Sequence, residues 1–326
     1  MGCRTLVAHL YRYAIPFSSP IDFNGEVITT RKGLLLALQH QQTTAYGEIA
    51  PLPGFSQETL QQALAAIEAV MPTLANNPLA EISTGIPSVD FGVGCAQWQL
   101  TRQCAPRVRL KGHPLLAGDS KQIKSRVQAD FPNGHHTLKL KVGRQEIEQD
   151  LKLIFELLAI NPKLRFRLDA NRKWSQEQAA TILAALPLAN IDYIEEPTPD
   201  LEANLKLVTQ FHYPLALDET LQQPNYRYQP IEGVHTLVIK PSLIGSPLTI
   251  QNLVDQAQAD GIKVVLSSAF ETNIGLQAIS ELAEIVTPEE APGIDTLSAF
   301  SQHLLSSQDG ETEALMLNQL DCVWPK

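Results

Sequence analysis

From about residue 108 the chain alternates short β-rich runs with longer stretches whose apolar residues recur at helical spacing. The short runs are "HPLLAG", "TLKLKVG", "LRFRLDAN", "IDYIEEP", "PLALDET", "TLVIKPS" and "KVVLSSAF", with a weaker eighth at "PGIDT". Between them, "RQEIEQDLKLIFELLAI", "SQEQAATILAALPL" and "LTIQNLVDQAQADG" predict helices. This is the rhythm of βα units around a parallel sheet. Eight strands at intervals of roughly 20 to 30 residues fit a TIM-like barrel of about 200 residues. A doubly wound open sheet is the competing layout, but neither G-x-G-x-x-G nor G-x-x-x-x-G-K-[ST] follows any strand.

Residues 1–107 do not follow that rhythm. There, "GLLLALQHQQTTAYGEIAP" reads as strands joined by a polar turn, and "SQETLQQALAAIEAVMPTL" as a helix opened by Ser56, with Glu58 early in it. The pattern therefore predicts an α/β protein with a (β/α)7β TIM-like barrel over 108–295. An N-terminal α+β capping domain over 1–107, joined by the tail 296–326, is expected to pack against one mouth of the barrel.

Composition narrows the function classes. The 326 residues suffice for both regions, and the net charge of -10, from 35 acidic against 25 basic residues without a basic stripe, disfavours a nucleic-acid surface. Cys3, Cys95, Cys104 and Cys322 are far apart and form no C-x-x-C, as expected of reduced thiols rather than disulfides or a zinc site. The N-terminus lacks a signal-peptide pattern, and no apolar run reaches membrane-spanning length. Its Met1-Gly2 start has Leu6 where a myristoylation signal wants Ser or Thr. The expectation is a soluble cytoplasmic protein with neither nucleic acid nor membrane as partner.

Side chains alternate along a strand, so Lys139 and Lys141 share one face of "TLKLKVG", and Leu138, Leu140 and Val142 the other. A lone K-x-K is most simply the solvated face of an amphipathic strand. The following strands change that reading, because each ends in polar residues just before a break. Arg167, Asp169 and Asn171 share a face of "LRFRLDANR". Glu195 and Glu196 end the next strand, then Asp218 and Glu219, then Lys240, then Ser267 and Ser268. In a barrel, strand C-termini are where catalytic groups sit. Asp169, Glu195 and Asp218 offer hard oxygen ligands on successive strands, a set suited to Mg²⁺ rather than zinc. Alternation turns Glu196 and Glu219 away, toward ion pairs or helix caps.

Lys139, Lys141 and Lys240 then flank the metal. Three carboxylates and one dication leave about one negative charge, which one ammonium cancels while another lysine stays neutral as a base. Lowering that lysine from near 10.4 to about 7 to 8 requires on the order of 4 kcal/mol. His135-His136 lies before its strand, at the opposite mouth from this chemistry, and reads as an ordinary loop; Trp174, Tyr226 and Tyr228 read as packing or surface residues.

This ring, with "LDANR", "EEP", "DET" and "IKPS", resembles the muconate-lactonizing subgroup of the enolase superfamily in order and spacing. The loop "YGEIAPLPGFSQET" resembles the capping loop that closes the site in that subgroup, so the likeness spans the chain. The resemblance implies a Mg²⁺-dependent carbon–oxygen lyase, with Mn²⁺ as a substitute, acting on a small carboxylate. The implied reaction is the syn dehydration of 2-succinyl-6-hydroxy-2,4-cyclohexadiene-1-carboxylate to 2-succinylbenzoate in menaquinone or phylloquinone biosynthesis, through a metal-held enediolate. It implies Lys141 as the base that returns its proton to the leaving hydroxyl, and Lys240 as the opposite-face ammonium. Lys139, Arg167 and Asn171 would support Lys141 and orient carboxylates and substrate. Ser267 and Ser268 would bind the succinyl carboxylate, and Pro51 to Phe55 would shut out water. N-acylamino acid racemisation on the same ring is the alternative. Dipeptide epimerisation would want D-x-D near the last strand, where this chain has Asp295, Thr296 and Leu297. A ligand-binding barrel without catalysis is disfavoured by the complete residue set.

Overall fold

The computed structural model describes residues 8–23, 25–102, 112–223 and 226–325; Met1, Gly2, Cys3, Leu6 and Cys104 lie outside the described residues. Two compact units account for them. The first takes the N-terminal region with 240–254 and 266–325, and the second takes 112–239 and 255–265.

The first unit begins with an antiparallel meander of β1 (Ala8–Phe23), β2 (Glu26–His40) and β3 (Thr43–Ile49). The run Leu34 to Leu38 in β2 is apolar without alternation because both faces of the strand are covered. Leu34, Leu36 and Leu38 meet Ile67 and Met71 of α1 (Leu60–Asn76) and Val89 of α2 (Pro87–Thr101). Leu35 faces the opposite cluster, with Phe17, Phe23, Leu52 and Phe300. Each such leucine contributes roughly 1.5–3 kcal/mol by leaving water. Close approach of β3 to α2 requires glycine, since a Cβ on Gly47 would collide with the Gly92 carbonyl.

The helix expected to open at Ser56 begins later. Thr59 is its N-cap, in a capping box with Gln62. The Ser56 hydroxyl is already engaged, accepting from the Leu52 amide at 2.8 Å, and Glu58 reaches out to the Ser88 amide at the start of α2.

The second unit supplies the βα succession: β4 (Leu115–Leu116), α3 (Ser120–Asp130), β5 (His136–Lys141), α4 (Ile147–Ile160), β6 (Leu164–Asp169) and α5 (Gln176–Ala185). It continues through β7 (Ile191–Glu195), α6 (Leu201–Phe211), β8 (Leu215–Leu217) and β9 (Val234–Ile239). After α7 (Pro241–Ile244) and α8 (Pro247–Ala259), β10 (Lys263–Leu266) completes a seven-stranded sheet in unbroken order from β4 to β10, parallel through β9. Consecutive parallel strands with intervening helices make the TIM-like barrel architecture. The eighth strand expected at "PGIDT" is reduced to a single parallel bridge, Ser267 to Gly293. Pro292 has no N–H to give a ladder and Gly293 no side chain to pack, so this segment pairs only once.

In the first unit the chain ends through α9 (Asn273–Val286), the short parallel pair β11 (His303–Leu304) and β12 (Ala314–Leu315), and β13 (Asp321–Trp324), which pairs antiparallel with β1.

Candidate active site

Register brings the charged residues together. In the parallel ladder Lys141 lies beside Asp169, and Asp169 beside Glu195. All three stand at the C-terminal ends of their strands. The Lys139 ammonium bonds both oxygens of Glu195, at 3.0 and 2.8 Å, and Asp169 Oδ2 at 2.8 Å. The Lys141 ammonium donates to Asp169 Oδ2 at 2.6 Å and to Asn171 Oδ1 at 2.8 Å. Asp218 follows β8, is 2 % exposed, and accepts from Gln222 Nε2 at 2.7 Å.

The electrostatics follow from this burial. Burial raises the Glu195 carboxyl well above its ordinary range, and the charges of Asp169 and Asp218 raise it further against the opposing lysines. Asp169 goes the other way: burial would raise it, but Lys139 and Lys141 outweigh burial and hold it far below the usual carboxylate value. Burial would likewise depress Lys139, yet Asp169 and Glu195 prevail and keep its ammonium protonated well above an ordinary lysine.

Among the described residues no group of three or more acidic, His or Cys side chains already stands as a formed metal site. Instead, Lys139 lies between Asp169 and Glu195. The donor set nevertheless fits a hard divalent cation. Three carboxylates, each no more than 2 % exposed, end or follow neighbouring strands, and on Glu195 burial together with the charges of Asp169 and Asp218 outweighs the opposing lysines.

A tier of supports surrounds these groups. Asn171 has φ 44°, a left-handed conformation that asparagine tolerates. Its amide nitrogen donates to Glu219 Oε1 at 3.1 Å, so Glu219 connects to Lys141 through Asn171 rather than turning away. Arg172 and Glu196 also have positive φ, at 60° and 40°, a backbone strain of order 1 kcal/mol or more each. Their 3.0 Å ion pair stabilises that arrangement. Glu196 Oε1 accepts from the amides of Asp218 and Thr220, and Arg172 donates to the Thr220 hydroxyl, so the pair shapes the turn bearing Asp218. Sequence reading left out Arg172, Thr220 and Gln222; the adjacency of "NR" to "EEP" on the next strand was the available signal.

Arg167 is 3 % exposed, donates to Asp192 Oδ2 at 2.8 Å and stacks its guanidinium over Tyr193. In the first unit, the Ser267 hydroxyl donates to the Gly293 carbonyl and that of Ser268 pairs with Thr296. Lys240, directly after β9, lies over the Phe55 ring at 5.5 Å. His136 starts β5 and meets the Asn133 carbonyl and the Phe131 ring, a loop contact. Trp174 is buried, and Tyr228 donates to Asp260.

Comparison with known proteins adds the family. The model "MenC, N-terminal domain" matches residues 5–100, and "Enolase C-terminal domain-like" matches 122–315. A relative from Yersinia enterocolitica, o-succinylbenzoate synthase, is 35% identical over 321 residues, covering 97% of this chain and 98% of the relative. The crystal structure of o-succinylbenzoate synthase from Thermosynechococcus elongatus BP-1, complexed with Mg in the active site, aligns with TM-score 0.74 and 27% identity, over 92% of this chain and 96% of that one. The dipeptide epimerase from Enterococcus faecalis V583, complexed with Mg and L-Leu-L-Tyr, aligns with TM-score 0.75 over 94% and 95% of the two chains. At 19% identity, it shares the fold alone. With full-length identity above a third and both domain models in place, the chain belongs to the o-succinylbenzoate synthase family of the enolase superfamily.

Proposed function

We propose that this chain dehydrates 2-succinyl-6-hydroxy-2,4-cyclohexadiene-1-carboxylate to 2-succinylbenzoate in the cytoplasm, with Mg²⁺, or Mn²⁺ in its place, held by Asp169, Glu195 and Asp218. When bound there, the divalent ion lowers the cost of negative charge on the substrate carboxylate. The observation that carries the reading is the placement of Lys141, whose Nζ is fixed by Asp169 and Asn171 at the rim of the buried carboxylates.

Lys141 takes the proton from the ring carbon that bears the carboxylate. The electrons of that C–H bond form the new ring double bond as the C–O bond to the hydroxyl breaks. Lys141 then delivers the proton to the departing oxygen, and water leaves on the face from which the proton came. A single side chain suffices for both transfers, taking the proton as the neutral amine and returning it as the ammonium, because syn geometry puts both on one side. Lys240 holds positive charge over the developing anion from its place after β9. Lys139 stays protonated and paired with Asp169 and Glu195, which leaves the proton transfers to Lys141. Ser267 and Ser268 are assigned to the succinyl carboxylate. For Arg167, the contact with Asp192 supports a structural role at the base of the sheet rather than contact with substrate.

The test is an ultraviolet assay for the aromatic product from the cyclohexadiene carboxylate, run beside N-acylamino acid racemisation. Dehydration is expected from the wild type, with losses of at least about 10³-fold for Lys141→Ala and for Lys240→Ala. Near-normal dehydration by Lys141→Ala, or racemisation in place of dehydration, would refute the assignment.

A further inference from the structure

The loop from Pro51 to Ser56 carries more order than a lid that merely excludes water. Its turn is closed by three bonds: the amides of Phe55 and Ser56 donate to the Leu52 carbonyl, and the Leu52 amide donates to the Ser56 hydroxyl. Gly54 sits at φ 79°, a conformation that suits glycine, between Pro53 and Phe55. At the base of the loop Arg31, 1 % exposed, directs its guanidinium into carbonyls alone: Pro51 at 2.8 Å, Ala50 at 2.5 Å and Phe270 at 2.9 Å. This fork ties the foot of the loop to the segment before α9.

The turn displays Phe55. Phe23 meets it in a T-shaped contact at 6.2 Å, and Phe270 meets Phe23 the same way at 5.0 Å. With the ring fixed in this way, Lys240 Nζ lies over its face at 5.5 Å, within cation–π range. The negative face of an aromatic ring attracts an ammonium without offering a proton acceptor. It therefore suits a lysine that must keep its charge and its donors for another partner.

We propose that Phe55 is a positioning residue for Lys240, its ring holding the ammonium in place by a cation–π contact, with Arg31 anchoring the loop that presents it. This rests on the assignment of Lys240 to the dehydration. A steric role for Phe55 would depend on ring shape; a cation–π role depends on ring electron density, and fluorination separates the two.

The experiment replaces Phe55 with mono-, di- and trifluorophenylalanine, and separately makes Phe55→Leu, Phe55→Tyr and Lys240→Ala. The expected result is a stepwise fall in kcat across the fluorinated series, about tenfold in total, with KM changed less than about twofold. Phe55→Leu should lose about as much, and Phe55→Tyr should stay within about threefold of wild type. The fluorinated variants barely change volume, so thermal unfolding should match wild type across the series. A flat series beside an inactive Lys240→Ala overturns the proposal alone. A rise in KM at constant kcat also overturns it, by showing that the ring packs on substrate. Near-normal turnover by Lys240→Ala removes the assignment of Lys240, and the proposal with it.

Discussion

Glu48, which no proposed step of the reaction uses, gathers several hydrogen bonds at the start of α9. Its carboxylate, 2 % exposed, accepts from the Tyr13 hydroxyl, the Thr272 amide and hydroxyl, and the Gly275 amide. Those amides belong to the first turn of α9 and its cap, where unpaired N–H groups and the helix dipole favour a negative charge. Glu48→Gln should therefore lower the unfolding free energy by about 2–3 kcal/mol and Tyr13→Phe by about 1 kcal/mol. Because both act through one carboxylate, the double variant should lose less than the sum in urea titrations; strict additivity would show the contacts to be independent. At this scale alternation along a strand made Lys139, Lys141, Asp169, Glu195 and Asn171 legible, because they fall at or near the C-terminal ends of adjacent strands, where Lys141, Asp169 and Glu195 are in register. It could not give depth. Arg167 shares the face of Asp169 but lies two residues earlier, roughly 6 to 7 Å down the strand, which is enough to pair it with Asp192.

Among elements, the β6–β7 pair is held at its base by charge and at its top by the site. Asp192 meets Arg167 at 2.8 Å, Arg165 at 3.3 Å and Lys263 at 3.8 Å. Burial would raise this carboxyl, but the Arg167 charge and hydrogen bond, helped by Lys263 and Arg165, hold it below its ordinary value. A depressed carboxyl stabilises the fold above the unfolded value near 3.9, and that contribution is lost as pH falls through the folded value. Asp192→Asn is thus expected to cost about 2–3 kcal/mol near neutrality by leaving Arg167 buried without its counter-ion. Denaturant titrations from pH 7 to pH 3 should show the deficit constant above about pH 5 and shrinking below about pH 4. A deficit that does not change with pH would mean that packing, not charge, is responsible. The barrel elements were readable because seven strands carry a period-2 or continuous apolar signal between helical periods. β1 was overlooked, although "AHLYRYAIPF" alternates buried and outward residues from Tyr13 to Phe17; a register shift between Leu10 and Tyr11 interrupts the pattern that would have marked it.

For the molecule as a whole, acidity and site chemistry converge. A chain of net charge -10 surrounds three buried carboxylates with a field that draws cations toward them, while one of the three, Glu195, is already raised by burial and by the charges of Asp169 and Asp218. Lys139 and Lys141 offset only part of that repulsion, so a ligand of higher charge density should stabilise the folded state more than any monovalent ion. Mg²⁺ at about 100 times its dissociation constant should add about 2.7 kcal/mol, which for a chain of this size raises Tm by roughly 4 °C. Calorimetry on chelator-treated protein would measure the rise, with sodium chloride at matched ionic strength as the control for general screening. Asp218→Asn removes one donor charge while leaving the Lys139 and Lys141 bonds to Asp169 and Glu195 untouched, so it should fold and yet lose most of the Mg²⁺-dependent rise. If sodium matched magnesium, or if Asp218→Asn responded like the wild type, the carboxylates would be a structural ion-pair network centred on Lys139. The strand-end register would then position charge for the fold and not for a metal.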